Sequence, residues 1–487
     1  MGISSCAIAT TLMKTKLIRR IEGARVRNPL YFRVMRSYAS PRLCIWGSFM
    51  RFTGFVVAVA GLAAVQAASA ADMPTKMPVK AAPVAMWNWT GFYVGAYTGV
   101  GVNRSHGYDP TGALAGELNF LGFGFTGGAT AGYNWQFAPK WVAGVEGDIG
   151  YLGLSHSVQN YNESLVANQK TSWIGTARVR FGYTDGPTLS YITGGAAWVN
   201  SDDVLSNVAG TVTADSKRTK TGFAVGSGVE TRLGGNWTVK SEYLYVDVGR
   251  GDTVTEGGFN AQADRHRYAM QRFGVNYLFG NAPQGPLPAS NWNGFYVGAV
   301  GGGAVTQTRL TPTAPSTLIG EFDNNGNGYT LGALAGYNWQ FAPSWVAGVE
   351  GDFSWLGINQ TVSDYNDPAA VYNLNTKWVA TARARIGYST GPALLYVTGG
   401  GAWVNYNETW SFTGPQVSSA KTLSGYTVGG GIETMVALFG SGWSSRTEYL
   451  YVNVGNGDSL VDSGVSAIAA NHQFHLFRSA LVYHFGH

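Results

Sequence analysis

The chain has 487 residues, 68 of them glycine, with only 13% charged residues and a formal net charge of +5. Glycine is about twice and charge about half its usual share, and 45% apolar content excludes a disordered chain. No run of about 18 or more apolar residues offers a spanning helix, while the basic balance would suit a nucleic-acid or membrane-surface partner if its charges lay on the folded part.

They do not. Residues 1–49 hold nine bases (Lys14, Lys16, Arg19, Arg20, Arg25, Arg27, Arg33, Arg36, Arg42) against Glu22 alone. Met50 and Arg51 then lead into an apolar run from Phe52 to Val65 and into Ala68-Ser69-Ala70. A basic start, a short apolar run and small residues at the end make a secretory signal, cut near Ala70 or Ala71. The simplest reading makes 50–71 the signal peptide and 1–49 an upstream mis-start extension; an Arg-rich transit-like presequence is the alternative. Ten of the 33 Lys and Arg and one of the 28 Asp and Glu lie in 1–71, so the remainder carries net −4. No nucleic-acid partner is expected of it. Cys6 and Cys44 leave with the same segment, which removes disulfides, thiolate metal sites and thiol nucleophiles.

After a Pro/Lys/Ala-rich periplasmic segment at 72–88, one text is written twice. Residues 131–148 return at 335–352 with one change, Lys140 to Ser344. Trp89-Thr90-Gly91-Phe92-Tyr93-Val94-Gly95 returns as Trp292-Asn293-Gly294-Phe295-Tyr296-Val297-Gly298, and Glu242-Tyr243-Leu244-Tyr245 as Glu448-Tyr449-Leu450-Tyr451. Two domains follow, 89–280 and 292–487, joined by a Pro-rich linker at 281–291.

The apolar period within each copy is two, which predicts strands. Trp141, Ala143, Val145, Ile149 and Tyr151 share one face; Gly144, Glu146, Asp148 and Gly150 share the other. Eight strands are expected in the first copy, near 89–102, 124–137, 140–154, 171–184, 187–201, 219–233, 236–249 and 266–279. Short turns (138–139, 185–186, 234–235) alternate with long polar connections (103–123, 155–170, 202–218, 250–265), the layout of a transmembrane barrel. The fold class is all-β: two tandem eight-stranded antiparallel up-and-down barrels. Aromatic residues near strand ends, Trp141 with Tyr151 and Trp173 with Tyr183, suit interfacial girdles.

With the apolar face in lipid, parity turns Glu146, Asp148, Arg178, Arg180, Glu230, Arg232, Lys240, Glu242 and Arg272 inward in copy one. Copy two turns in Glu350, Asp352, Arg383, Arg385, Glu433, Arg446, Glu448 and Arg478. Charges in a narrow interior must be paired, and eight strands leave a lumen that side chains can fill. A salt-bridged plug with little conductance is therefore expected, with glycines making room for the arginine stems.

Other constellations weigh less. Glu146 and Asp148 could form an acid/base pair, but matching bases sit on the next strand in both copies. His266, His472 and His475 lack a further ligand at a diagnostic spacing and read as exposed residues at a loop–strand junction. Gly122–Gly127 fits a dinucleotide fingerprint by letter but precedes a strand. Asp323-Asn324-Asn325-Gly326 lacks the closing glutamate of a calcium loop and reads as a turn. No catalytic, cofactor or metal residues are assigned. The loops of copy two are acidic (Glu321, Asp323, Asp364, Asp367, Glu408, Asp458, Asp462 against Arg309 and Lys421), which disfavours an anionic partner.

W-T-G-F-Y-V-G at 89–95, G-Y-N-W-Q, V-E-G-D, A-R-x-R-x-G-Y and E-Y-L-Y-V together resemble the outer-membrane immunogenic protein family of alphaproteobacteria, over essentially all of 72–487 and twice. That resemblance implies single eight-stranded barrels similar to the transmembrane domain of outer-membrane protein A. It also implies a surface protein supporting envelope integrity, with loops that can be antigenic or adhesive, in contact with outer-membrane lipid, lipopolysaccharide and the assembly machinery. Some relatives are reported to bind haem, for which no residue here speaks. Two departures stand out: the barrel is doubled, and Gly486-His487 follow the terminal aromatic Phe485. Sixteen strands also permit one porin-like barrel with a diffusion channel. A rim enzyme would need a repeated Ser/His/acid set, which is not found, and a lipocalin-type barrel would turn its polar face outward.

Overall fold

The computed structural model describes residues 87–486 except 109–117, 160–164, 208–211, 257–258, 264, 281–286, 288, 313–321, 364–370, 412–415, 437–439, 458 and 463–464. The extension, the signal peptide, nearly all of 72–88 and most of the linker lie outside the described residues.

The period-two segments of copy one form β1 (Gly91–Tyr108), β2 (Leu118–Ala138), β3 (Trp141–Gln159), β4 (Leu165–Asp185), β5 (Thr188–Asn207), β6 (Val212–Gly234) and β7 (Trp237–Asp247). A small hairpin, β8 (Thr253–Glu256) and β9 (Phe259–Ala263), precedes the closing strand β10 (Arg267–Leu278). Each long strand pairs antiparallel with its chain neighbour. β10 returns to β1, from Tyr93 opposite Leu278 to Arg104 opposite Arg267, which closes the sheet.

Copy two repeats the arrangement with β11 (Gly294–Pro312), β12 (Phe322–Ala342), β13 (Trp345–Ser363), β14 (Val371–Ser389), β15 (Ala393–Ser411), β16 (Val417–Met435), β17 (Trp443–Asn453), a short β18 (Ser459–Asp462) and β19 (Val465–His484). β19 pairs with β11, closing a second barrel. Because each copy closes on itself, the single 16-stranded barrel with its channel is overturned.

The strands outrun the sequence pattern. β6 runs for 23 residues, about twice what crosses a bilayer, so the walls rise past the lipid at the long-loop end. Gly122–Gly127 consequently lies inside β2, and Asp323–Gly326 lies inside β12 rather than in a turn. At the other end of copy one, two-residue connections suffice, with Gly186 at φ 62° and Gly235 at φ 55°, the left-handed backbone that glycine adopts without strain.

The outer wall is apolar. Val145, Ile149, Val179, Phe181, Ile192 and Val225 are exposed in copy one, and Val349, Ile386, Val397 and Val428 in copy two. A soluble barrel with a polar outer face is thereby overturned too. Trp135, Phe137, Trp141 and Trp237 mark one rim of this band, and Tyr151, Trp198 and Phe223 the other. Ten residues from Trp141 to Tyr151, at about 3.3 Å each and the tilt of about 40° usual in such barrels, cover roughly 25 Å of height.

Each barrel also carries a bulge at its upper rim. Register slips between Thr171 and Ile174 against β5, and between Thr376 and Trp378 against β15. An extra residue reverses the alternation. Gln169, Thr171, Tyr372, Leu374 and Thr376 are buried inside, although strict parity from the outward Trp173 and Trp378 would turn them to the outside.

Candidate functional site: the barrel lumens

The midlevel of each lumen is a belt of ion pairs. In copy one, β3 and β4 set Glu146 opposite Arg178, and β10 sets Arg272 opposite Glu242 of β7. Arg178 bridges three carboxylates, at 2.5 Å from Glu146, 2.8 Å from Asp148 and 3.1 Å from Glu242. Arg272 joins Asp148, at 3.0 Å, to Glu242. Arg180 lies 2.9 Å from Glu230, and the Lys240 ammonium 2.8 Å from Glu146. Hydroxyl and amide donors complete the shells. Tyr93 donates to Glu146, Tyr191 to Glu242, Thr176 to Asp148, and Thr238 and Asn276 to Glu230.

Copy two has the same belt with different parts. Arg383 binds Glu350, Asp352 and Glu448; Arg478 binds Asp352 at 2.7 Å and Glu448 at 2.5 Å. Arg385 lies 3.0 Å from Glu433, and Arg446 links Glu433 to Glu350. The place of Asn276 on the acid is taken by His484, whose Nε2 lies 2.8 Å from Glu433 Oε1. Sequence parity continued from Arg478 would have found His484; the tyrosine, threonine and asparagine donors carry no charge to flag them.

All seventeen charged residues named from the sequence are buried, but one stands apart. Arg232 donates to the backbone oxygen of Asn88 at 2.6 Å and lies over the Trp89 ring, with its guanidinium carbon 4.8 Å from the centroid. It caps the short-turn end instead of joining the belt. Without it, copy one balances Glu146, Asp148, Glu230 and Glu242 against Arg178, Arg180, Lys240 and Arg272, the same four against four as copy two. Removing the fifth base from the belt leaves no surplus charge in a region where one would be costly.

Apolar layers lie on both sides of the belt in copy one. Trp89, Val142, Leu189 and Leu278 pack below it. Above it, Leu152, Leu154, Ile174, Val199, Leu244, Val246 and Met270 fill the lumen, and copy two matches them with Leu356, Ile358, Val379, Val404, Leu450, Val452, Phe474 and Leu476. The strands are apolar on both faces here, so alternation alone did not reveal this layer.

At the long-loop end sits a polar cap that repeats in both copies. His266 Nε2 lies 3.4 Å from Asp203, with Gln169 between Asp203, Asn103, Ser105 and His266 Nδ1. His472 Nε2 lies 3.0 Å from Glu408, and its Nδ1 meets the Thr308 hydroxyl at 3.0 Å. The histidines expected to be exposed are therefore buried: His266 lies just before β10 and His472 within β19, and both turn inward. His475 is buried as well, on the outer wall. Glu408 is likewise an interior residue and not a loop-surface acid; of that acidic set, only Glu408 and Lys421 have described side chains. Burial alone would raise the Asp203 carboxyl, but the adjacent His266 ring, a hydrogen bond from Gln169 and the nearby Lys220 hold it below the ordinary range.

Replacing His472 with phenylalanine is expected to leave the buried Glu408 without its imidazole partner, at a cost of about 1–3 kcal/mol. Amide hydrogen exchange should accelerate at the upper ends of β15 and β19 and stay unchanged in copy one; unchanged exchange in both would refute the pairing.

A family model described as an outer membrane protein beta-barrel domain matches twice, over residues 55–279 and 277–485. The 31 kDa outer-membrane immunogenic protein of Brucella melitensis is 35% identical over 238 residues, 46% of this chain and 99% of that protein. The 25 kDa outer-membrane immunogenic protein of Brucella abortus is 30% identical over 42% of this chain and 85% of its own. A 22 kDa outer membrane protein of Rhizobium leguminosarum is 36% identical over 35% and 70% respectively. Among solved structures, OprG of Pseudomonas aeruginosa aligns at 13% identity and TM-score 0.28, over 39% of this chain and 97% of its own.

Proposed function

Because the chain belongs to the outer membrane protein beta-barrel domain family and carries that domain twice, we propose that it is a non-enzymatic structural and surface component of the outer membrane. On this reading the two barrels anchor long extracellular loops, and the lumens are sealed rather than conducting. The observation that carries the reading is the balanced ion-pair belt stacked against apolar layers in both copies. An ion entering from water would meet arginines already neutralised and then a dry layer of Leu, Ile and Val, where an unpaired charge is costly.

The partners that follow are outer-membrane lipid and lipopolysaccharide around the walls and the assembly machinery that inserts the barrels; no cofactor or nucleic acid is involved. The names of the relatives, immunogenic proteins of the outer membrane, support surface presentation of the loops.

Refolded protein in a planar bilayer is expected to show no stable conductance step. Epitope tags placed in the 109–117 and 313–321 connections should be accessible to antibody on intact cells. A stable pore would overturn the sealed-lumen reading, and tags accessible only after lysis would overturn surface presentation.

A further inference from the structure

One polar pair on the outer wall of copy one is hidden from the exterior. Ser241 and Gln271 lie between the inward Lys240, Glu242, Met270 and Arg272, so their side chains point outward at the level of the ion-pair belt. Yet both are almost fully buried, and the Gln271 amide donates to the Ser241 hydroxyl at 2.9 Å. His475, outward at the upper rim and held by the Tyr449 hydroxyl at 2.8 Å, is buried too. Lipid is a poor environment for such groups. What covers this face is the other barrel. Phe123 of β2 stacks on the His475 ring of β19 with centroids 3.9 Å apart, Tyr243 of β7 meets Phe477 of β19, and the Tyr243 hydroxyl lies over Gly303 of β11. Val102, Val305 and Phe477 form a buried apolar cluster, with Val100, Ala269 and Tyr449 packed against it.

The copies diverge where they meet. By the repeat register, Phe123 corresponds to the exposed Asn327, Val100 to Gly303, Ala269 to His475 and Gln271 to Phe477. Glycine under tyrosine and a stacked Phe–His pair are complementarity between unlike surfaces. Chain connectivity agrees. The first barrel ends and the second begins at the short-turn end, and residues 281–291 span at most on the order of 40 Å, which holds both in one orientation at high effective concentration.

We propose that the tandem chain is an intramolecular barrel pair, each barrel serving as the other's lateral partner through a lipid-excluded seam of β1, β2, β3, β7 and β10 against β11, β12, β17 and β19. This rests on the outer-membrane reading above but adds a fixed association that a pair of tethered, independent barrels would lack.

The test uses the full chain with Cys6 and Cys44 replaced by serine, Val102→Cys paired with Val305→Cys, and a protease site in the 281–290 linker. After oxidation in isolated outer membranes, the cleaved halves should stay joined until reductant is added. Yield should be at least tenfold above a control pair, Val179→Cys with Ile386→Cys, on lipid-facing wall. Crosslinking between separate chains, or yield equal to the control, overturns the seam. Absence of the protein from the outer-membrane fraction would instead overturn the reading beneath it, so the two failures are distinct.

Discussion

Replacing Arg178 with methionine is expected to destabilise the first barrel by about 3–5 kcal/mol while leaving the second unchanged. Arg178 is the one base that touches Glu146, Asp148 and Glu242 together. Methionine fills much of the same space but leaves three carboxylates to share Arg272, Lys240 and Arg180. Arg383→Met should do the same to the second barrel, since Arg383 holds Glu350, Asp352 and Glu448. Urea titration of the refolded protein, read by heat-modifiable gel mobility of each half after linker cleavage, separates the two effects. Adding Glu242→Gln to Arg178→Met should recover part of the loss, because the second change removes a charge that the first left unpaired; coupling of about 0.5–3 kcal/mol is the usual range for contacting groups. Equal midpoints for wild type and Arg178→Met would mean that the belt is solvated and the lumen wet.

The belt was legible because charge at period two has few explanations in a wall that is otherwise apolar. Seventeen residues could be turned inward by parity alone, and the repeat supplied a second, independent instance. What parity could not supply was height. Arg232 shares a face with Glu230 but lies two residues nearer the turn, where Trp89 and the Asn88 carbonyl receive it; an alternation pattern assigns face and not level. The polar cap was hidden for a different reason. The bulges at Trp173 and Trp378 reverse the phase of the strands above them, so Gln169 and Tyr372 are interior residues with exterior parity. His266 and His472 sat at the very start of the expected closing strands, at a loop–strand junction where exposure is the natural reading, until the walls proved to extend past the lipid. The seam needed the structure altogether: nothing in one copy says which part of its outer wall another barrel will cover.

The glycine excess leads to the sharpest steric expectation. In the register of the sheet, Tyr93 of β1, Gly132 of β2 and Glu146 of β3 stand side by side. The tyrosine lies across the glycine so that its hydroxyl reaches the carboxylate one strand further on, at 2.8 Å. The triplet recurs as Tyr191, Gly228 and Glu242, and in copy two as Tyr296, Gly336, Glu350 and as Tyr396, Gly431, Glu448. A Cβ on any of the four glycines would collide with the tyrosine that crosses it. Gly132→Val should therefore force the Tyr93 ring off its path, with overpacking worth about 1–3 kcal/mol and about 1–3 kcal/mol more for the hydrogen bond lost at a buried carboxylate. Gly147→Ala provides the contrast. It is a glycine of the same strand region, on the lipid face, where a Cβ meets nothing closer than 3.8 Å, so its effect should stay within about 0.5 kcal/mol. Tyr93→Ala combined with Gly132→Val should relieve the collision without restoring the hydrogen bond, giving a stability between the single glycine variant and wild type. If Gly132→Val and Gly147→Ala unfold at the same urea concentration, the glycines are merely permissive wall residues; a wide separation, repeated at Gly336, would tie the unusual composition of this chain directly to the tyrosines that close its ion-pair belts.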